Sequence, residues 1–161
     1  MADNLRQYRC RFAGHRPEKL MRSSFEIREE LDAAIRWAIA SGFRTFLSGM
    51  SRGVDLWAAD IVLKHRTANS QLHLICACPF PAFEARWSMD WQRLYSSVLS
   101  QADFVRYICP AYSPSCFQLR NEWMVNHSSC LISVWNGLPS GTYNTIRYAQ
   151  KNGLLCKHIR A

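Results

Sequence analysis

The sequence lacks several features that would assign a chain to a class at once. No apolar run approaches the roughly 20 residues that a membrane-spanning helix needs, and residues 1–11 are polar rather than signal-like. The seven cysteines are an odd number and include no CxxC pair. We therefore expect a cytoplasmic protein whose thiols are reduced and mostly buried.

A metal site is not predicted either. Cys76 and Cys78 are two residues apart on a predicted strand, so their side chains share a face. A structural zinc site needs four ligands, and the sequence does not place the two that are missing. We accordingly expect no bound metal.

Lysine and continuous basic segments are also scarce. The net charge is +8, but the 20 basic residues include only four lysines and are scattered along the chain. Arginine suits bidentate recognition of phosphate or carboxylate, whereas nucleic-acid binding proteins usually concentrate positive charge on one face. The composition fits a small anionic ligand or an ordinary solvated basic surface, and it does not favour nucleic acid.

What the sequence does contain is a regular alternation of apolar, β-prone segments with helical periodicity. With 161 residues, 48% of them hydrophobic and 20% charged, the chain is predicted to form one globular domain over residues 1–161. The pattern predicts an α/β protein, a three-layer Rossmann-like sandwich around a mainly parallel sheet of five to six or more strands. The predicted strands are 8–13, 44–47, 72–77, 103–108, 130–135 and 155–159.

In such a sheet, ligands bind outside the carboxyl ends of the strands. The most informative strand end is the turn Ser48-Gly49-Met50-Ser51-Arg52-Gly53-Val54-Asp55, which leads into an amphipathic helix. Its small residues let the backbone approach a ligand, and the first N–H groups of the helix face an anion. The turn is neither GxGxxG nor a P-loop with its lysine. We predict that Ser48, Gly49, Met50 and Gly53 help to bind a phosphate.

A second turn of this kind is Ser140-Gly141-Thr142, which follows the fifth predicted strand and precedes a helix. Two hydroxyl groups, a glycine and the unpaired N–H donors of a helix start favour a phosphate cradle. The same residues would also suit an ordinary turn with a threonine N-cap. Because the Gly49 turn lies at the same predicted edge of the sheet, we favour the cradle.

Five further candidates lie at or shortly after strand ends. The first predicted strand ends in Gly14-His15-Arg16, where the guanidinium is predicted to contact the ligand and the imidazole is a base, a ribose hydrogen-bond donor or a packed side chain. Asp55 either complements the dipole of its helix or contacts a ribose hydroxyl. Phe80, between two prolines, is a predicted stacking platform, whereas Trp87 is expected in the core or at an interface.

Arg120 and Asn121 lie on a short predicted helix before the fifth strand. We predict that this helix points them into the same crevice. There the guanidinium would supply positive charge and the amide would supply hydrogen bonds to a base or ribose.

Taken together, these motifs resemble the YpsA-like branch of the SLOG superfamily, which also includes the LOG "lysine decarboxylase-like" enzymes and the DNA-processing protein DprA. The resemblance extends from about residue 8 to residue 159. It rests on residues 14–17, 48–55, 79–80, 120–121 and 140–142, in that order. It implies a Rossmann-like fold that binds a nucleotide or a nucleotide-derived ligand such as ADP-ribose or NAD, and a dimer is common among the relatives.

The resemblance to the LOG enzymes is incomplete. Those enzymes cleave the base–ribose bond of nucleoside monophosphates, and their signature is PGGxGTxxE with an arginine in a preceding helix. Arg120 looks like that arginine and would be the catalytic candidate if the chain were an enzyme, but the glutamate position falls on Thr145. We therefore expect a sensor or regulatory module. The alternatives are a nucleotide N-glycoside hydrolase and, less favoured, a single-stranded DNA-binding protein as in DprA.

Overall fold

The structure is a computed structural model in which residues 5–161 are described. Its centre is a sheet of six parallel strands in the spatial order β4-β3-β2-β1-β5-β6. The strands are β1 (Arg9–Gly14), β2 (Thr45–Ser48), β3 (His73–Cys78), β4 (Phe104–Tyr107), β5 (Cys130–Trp135) and β6 (Leu155–Arg160). The chain moves outward from β1 to β4 and then returns to the other side of β1, so the strand order reverses between β1 and β5.

Helices cover both faces of the sheet. Three of them pack against one another on one face, and the remaining two pack together on the other face. The first group is α1 (Ser24–Ala40), α2 (Val54–Ala68) and α3 (Met89–Gln101), and the second is α4 (Cys116–Asn126) and α5 (Gly141–Lys151). This arrangement confirms the predicted three-layer, Rossmann-like α/β sandwich.

The main core lies between the sheet and the first group of helices. Phe12 of β1 and Phe46 of β2 stack there with ring centroids 5.8 Å apart. Helix α1 buries an apolar stripe at helical spacing, which includes Ile27, Leu31 and Ile35. Burial of such side chains supplies most of the free energy that holds the layers together.

Both ends of the first helix follow from its local sequence. The Ser23 hydroxyl accepts a hydrogen bond from the Glu26 N–H at 3.2 Å, which satisfies one of the unpaired donors of the first turn. The helix ends at Ala40, shortly before Gly42 with φ +103°. The local sequence thus determines where this helix starts and stops.

Differences from the prediction are confined to element ends. The fourth strand is shorter than predicted, and the first strand begins and ends one residue later than predicted. All seven cysteines are free thiols. Within residues 5–161, no helix is long and apolar enough to cross a membrane, and no three His, Cys, Asp or Glu side chains cluster as metal ligands would.

Candidate functional site

A cavity of about 410 Å³ opens at the carboxyl ends of the central strands, beside the point where the strand order reverses. This volume is within the range of small-molecule sites. Nine of the predicted site residues line it: Gly14, His15, Arg16, Asp55, Arg120, Asn121, Ser140, Gly141 and Thr142.

The other predicted residues of the Gly49 turn lie behind the cavity wall. The Ser48 hydroxyl donates to the Asp55 carbonyl at 2.9 Å and accepts from the Met50 N–H at 3.2 Å. The Gly49 carbonyl accepts a hydrogen bond from Arg120 Nη1 at 2.5 Å. These residues brace the site, and Ser51 and Arg52 of the same turn form its surface.

Two glycines allow this close packing. A β-carbon at Gly49 would lie 3.0 Å from Asp55 Oδ2 and 3.1 Å from the Arg120 guanidinium carbon. Gly53 has φ +88°, and a β-carbon there would lie 2.8 Å from the His15 carbonyl oxygen. Side chains at these positions would separate the turn from β1 and α4, so the glycines serve the geometry of the site.

The floor of the cavity holds a buried cluster of Arg11, Asp55 and Arg120, which are 2%, 6% and 6% exposed. Arg11 donates to the Phe12 carbonyl at 2.7 Å and to the Asn121 carbonyl at 3.0 Å. Asp55 Oδ2 accepts from the Ser51 N–H at 3.3 Å. The second oxygen, Oδ1, is buried and has no hydrogen-bond partner within residues 5–161.

The charges of this cluster do not cancel. Burial lowers the pKa of Arg11 to about 9, an effect that the nearby Asp55 opposes, and burial also lowers the pKa of Arg120. Burial raises the pKa of Asp55, while the two arginines act in the opposite direction. Two guanidinium groups therefore share one carboxyl group, and the positive charge left over favours an anion at this place.

His15 is held as a neutral imidazole. Its Nε2 accepts a hydrogen bond from the Asn136 N–H at 3.1 Å, which leaves Nδ1 to carry the hydrogen. Nδ1 lies 3.4 Å from Thr142 Oγ1, and burial lowers the pKa of the ring. Because both nitrogens are engaged, His15 positions the Thr142 hydroxyl rather than offering a free base.

The start of α5 faces the cavity next to Thr142. Ser140 is the N-cap, because its hydroxyl accepts from the Tyr143 N–H at 3.1 Å. The N-cap of α5 is therefore Ser140, whereas the alternative interpretation as an ordinary turn had predicted a threonine N-cap. Thr142 is left to face the cavity beside the helix's own unpaired donors.

Three aromatic side chains form one wall of the cavity: Phe83, Trp87 and Phe117. Phe83 and Trp87 meet edge to face with ring centroids 5.0 Å apart. Phe80, the predicted stacking residue, supports this wall from outside the lining, 5.6 Å from Phe83 and 6.2 Å from Phe117. Trp87 packs against the main core, as predicted, and also faces the cavity.

The rim carries three further cations, Arg16, Lys19 and Arg52. Glu18 lies between two of them: its Oε1 accepts from Arg52 Nη1 at 2.8 Å, and its Oε2 is 4.0 Å from Arg16 Nε. The carboxylate is exposed, so the rim remains in contact with solvent.

The comparisons with known proteins concern the family and the fold of the chain. The sequence profile of the YpsA SLOG family matches residues 13–158, nearly the whole chain. The chain belongs to this family. A UPF0398 protein of Halalkalibacterium halodurans is 31% identical over 71% of this SLOG chain, which spans less than two thirds (64%) of that relative. The SPbeta prophage-derived protein YoqJ of Bacillus subtilis is 31% identical over 68% of this chain and 71% of its own length.

Solved structures show the same fold. DprA of Helicobacter pylori superposes on 98% of this SLOG chain with a TM-score of 0.68 and 18% identity, over 68% of its own chain. DprA of Streptococcus pneumoniae superposes on 98% with a TM-score of 0.70 and 16% identity, over 52% of its own chain. At these identities the likeness establishes the fold alone.

Nine residues that line the SLOG cavity were not among the predicted site residues. They are Arg11, Ala13, Lys19, Ser51, Arg52, Phe83, Trp87, Phe117 and Thr145. Ser51 and Arg52 belong to the predicted Gly49 turn, Trp87 was expected in the core or at an interface, and Thr145 entered only as the position of the missing glutamate. One signal was available: Arg11 is a charged residue inside an apolar strand, between Cys10 and Phe12. A charge at such a position is usually paired or functional.

Proposed function

We propose that this SLOG domain binds a nucleotide-derived anion of the ADP-ribose or NAD type and acts as a ligand-responsive module rather than as a turnover enzyme. One observation carries the proposal. Of the described residues that line the cavity, Asp55 is the only one with a carboxyl group, whereas five are cationic: Arg11, Arg16, Lys19, Arg52 and Arg120. Such an imbalance in a small concave site favours a ligand with several negative charges.

The phosphate groups would lie at the start of α5. A helix N-terminus offers unpaired N–H groups and a partial positive charge to an anion. Because His15 Nδ1 donates toward the Thr142 oxygen, the hydroxyl hydrogen of Thr142 can be directed at a ligand. Arg16 and Lys19 on the rim would supply the charge that accompanies these donors.

The sugar would lie over the floor of the cavity. Asp55 Oδ1 is a buried acceptor without a partner among the described residues, and a ribose hydroxyl is a donor that would satisfy it. The neighbouring guanidinium groups would bind a second phosphate or the other sugar oxygens. A ligand that links phosphate groups to a ribose with a free diol carries both the acceptors and the donors that these two sites call for.

The base would stack on the aromatic wall. Phe83, Trp87 and Phe117 line the cavity, and aromatic side chains stack on the π-face of a base with little discrimination between bases. This wall replaces Phe80 as the proposed stacking platform.

Hydrolysis of the ligand is the weaker candidate. The position that the LOG signature gives to glutamate holds Thr145, a buried cavity residue with no carboxyl group. A carboxylate would otherwise stabilise the positive charge that develops on the sugar. The remaining carboxyl group, Asp55, lies next to two arginines, which reduces its power to stabilise such a charge.

A thermal-shift panel of AMP, ADP, ATP, NAD and ADP-ribose, followed by product analysis, tests the proposal. Ligand at 100 times its Kd adds about 2.7 kcal/mol to the free energy of unfolding, which raises Tm by roughly 5–10 °C for a chain of this size. A shift with intact ligand supports a binding module. A shift with release of free base establishes the hydrolase instead, and no shift with any member contradicts nucleotide binding.

Arg16→Gln provides a variant with a matched control. Arg16 lines the cavity rim and is exposed, so its replacement should leave Tm unchanged and weaken ligand binding about tenfold, the effect of losing one charge-assisted contact. Arg86→Gln removes an exposed arginine that is not part of the lining and should leave the affinity unchanged. Equal affinities in the two variants would remove Arg16 from the proposed site.

Single-stranded DNA belongs in the same panel, because DprA of Helicobacter pylori, which shares this fold, has a single-stranded DNA binding mode. The basic rim and the exposed Tyr112 and Phe117 are the features of this chain that would serve such a ligand. Binding of an oligothymidylate in competition with ADP-ribose would extend the proposed ligand class to polynucleotides. Binding of the oligonucleotide alone would replace it.

A further inference from the structure

A second cavity, of about 400 Å³, lies at the amino ends of the strands, at the opposite end of the sheet from the candidate site. The first residue of each strand from β1 to β4 contributes to its lining. We propose that this second cavity binds a small organic monoanion with an aromatic body, such as an aryl carboxylate. The proposal does not depend on the ligand of the candidate site, because the described linings of the two cavities share no residue.

Four hydrophobic side chains line the second cavity, and two of them are aromatic: Leu5, Tyr8, Ile75 and Phe104. Phe104 of β4 is 51% exposed, and Tyr8, at the end of a 3-10 helix (Arg6–Tyr8), is 46% exposed. Ile75 is the register partner of Phe104 on β3 and is only half-buried. Exposed hydrophobic side chains that gather around a concavity of this size are typical of a binding site for a small molecule.

Arg44 adds a positive charge whose position is fixed. Its Nη1 donates to the carbonyl oxygens of Ile39 and Phe43, both at 2.8 Å. No carboxylate oxygen within residues 5–161 lies within 4.0 Å of its guanidinium group. A half-buried guanidinium group that has neutral carbonyl partners but no carboxylate partner favours an anion beside it.

Asp103 is the only carboxyl group among the described lining residues, and it is already engaged. Its Oδ2 accepts from the Leu74 N–H and from Arg66 Nη1, both at 2.8 Å, and its Oδ1 lies 3.6 Å from His73 Nδ1. A second copy of the chain is therefore a poor occupant. An isologous contact brings the same surface of two molecules together, and no unengaged carboxyl group of the described lining would meet Arg44 of the other copy.

The helix ends on this side of the sheet favour one negative charge over several. In a parallel α/β sheet, the amino ends of the strands lie beside the carboxyl ends of the helices, which carry a partial negative charge. Ile39, whose carbonyl accepts from Arg44, belongs to the last turn of α1. A ligand with several phosphate groups would be repelled by such helix ends, whereas a single carboxylate is matched by one guanidinium group. The aromatic body of the ligand would contact Tyr8 and Phe104.

Calorimetric titration of the full chain with 2-naphthoate tests the proposal, and the neutral 2-naphthamide serves as the matched ligand. We expect saturable binding of naphthoate and about tenfold weaker binding of the amide, because only the carboxylate gains a charge-assisted hydrogen bond from Arg44. Failure of naphthoate to saturate, or equal affinities for the two compounds, would overturn the proposal.

Two variants assign the binding to the second cavity. Phe104→Ala removes a half-exposed ring, so the variant should fold and should bind both compounds more weakly. Arg44→Gln should weaken the binding of naphthoate about tenfold and leave that of naphthamide unchanged. If Arg44→Gln does not fold, Phe104→Ala and the pair of ligands still decide. Arg36→Gln, on the exposed side of α1, is the control and should bind as the wild type does.

Two other results would contradict the proposal by assigning the ligand or the surface elsewhere. Weaker binding of naphthoate in Arg16→Gln, but not in Arg44→Gln or Phe104→Ala, would place the anion in the candidate site. A wild-type dimer in light scattering that Phe104→Ala converts to a monomer would assign the surface to a second copy of the chain.

Discussion

The Asp55 carboxyl group interacts electrostatically with two buried arginines, Arg11 and Arg120. It lies in the first turn of α2, where a negative charge complements the helix dipole, and it faces Arg11 and Arg120 on the cavity floor. Both roles that the sequence suggested are compatible, because Oδ2 closes the turn at Ser51 while Oδ1 stays unpaired among the described residues.

Asp55→Asn should therefore destabilise the protein strongly. The amide keeps the shape but removes the carboxyl charge that interacts electrostatically with the two buried guanidinium groups, and buried groups that lose such compensation cost about 1–3 kcal/mol. Urea denaturation at pH 7.5 measures the free energy of unfolding. Asp60→Asn is the control on the same helix, because Asp60 pairs with Lys64 at 3.1 Å on the surface and should cost less than about 0.5 kcal/mol. Similar losses in the two variants would contradict a buried charge cluster.

His15 predicts a dependence of stability on pH. Burial lowers the pKa of His15 below the ordinary value of 6.5, so below that pH the unfolded chain binds a proton more readily than the folded one. The free energy of unfolding should thus fall as the pH drops from 7.5 to 5. Burial also lowers the pKa of His158, which contributes in the same direction.

Comparison of variants separates the two histidines. His15→Gln retains an acceptor for the Asn136 N–H but does not titrate, so the loss of stability between pH 7.5 and 5 should be smaller than in the wild type. His158→Gln should reduce it independently. A pH dependence that is identical in His15→Gln and the wild type would show that His15 does not titrate differently in the folded state.

At the scale of elements, α1 and α5 both begin with a serine N-cap, but only one of the two caps lies beside the cavity. Ser23 caps α1 far from the cavity, and Ser140 caps α5 beside it. Ser→Ala at either position should lower the free energy of unfolding by about 1 kcal/mol. Calorimetric titration with ADP-ribose should show weaker binding in Ser140→Ala alone, because only α5 presents its start to the ligand. Equal effects on affinity would contradict the phosphate cradle.

The junction between the Gly49 turn and α2 gives a second prediction at this scale. Gly53→Ala combines a positive φ with a β-carbon 2.8 Å from the His15 carbonyl, whereas Gly137→Ala has φ +85° but no described atom within 4 Å of the new carbon. The positive φ alone costs about 1 kcal/mol, so Gly53→Ala should lose about 2 kcal/mol more than Gly137→Ala in thermal or urea unfolding. Equal losses would show that the turn is free to move away from β1.

The elements themselves were largely predictable from the sequence, whereas the full site was not. Contiguous apolar segments are local signals, and they predicted the strands to within a few residues. The site depends on which strands become neighbours. Arg11 of β1 lies near Arg120 of α4 because β5, the strand that follows α4, pairs with β1. No local sequence pattern predicts this strand order. The aromatic wall was missed for the same reason, since Phe83 and Phe117 are distant in sequence.

At the scale of the whole molecule, the net charge of +8 should distinguish the two anionic ligand classes. Each phosphate that single-stranded DNA places on the protein contributes about −0.7 to the slope of log affinity against log salt. ADP-ribose carries two phosphates, so its slope between 50 and 500 mM NaCl should stay shallower than about −2 in calorimetric titrations. A steeper slope with an oligothymidylate, together with stronger binding, would indicate a polynucleotide site instead.

Glu18 gives the rim a further property. Its carboxylate bridges toward Arg16 and Arg52, which are two of the cations that the proposed ligand would meet first. The protein thus carries a tethered analogue of the ligand's charge, and association becomes an ion exchange in which a phosphate displaces an internal carboxylate. The affinity then depends on how much more strongly Arg16 and Arg52 bind the ligand phosphate than they bind the Glu18 carboxylate. Removal of that tethered anion, as in Glu18→Gln, should make the same cavity bind its ligand more tightly.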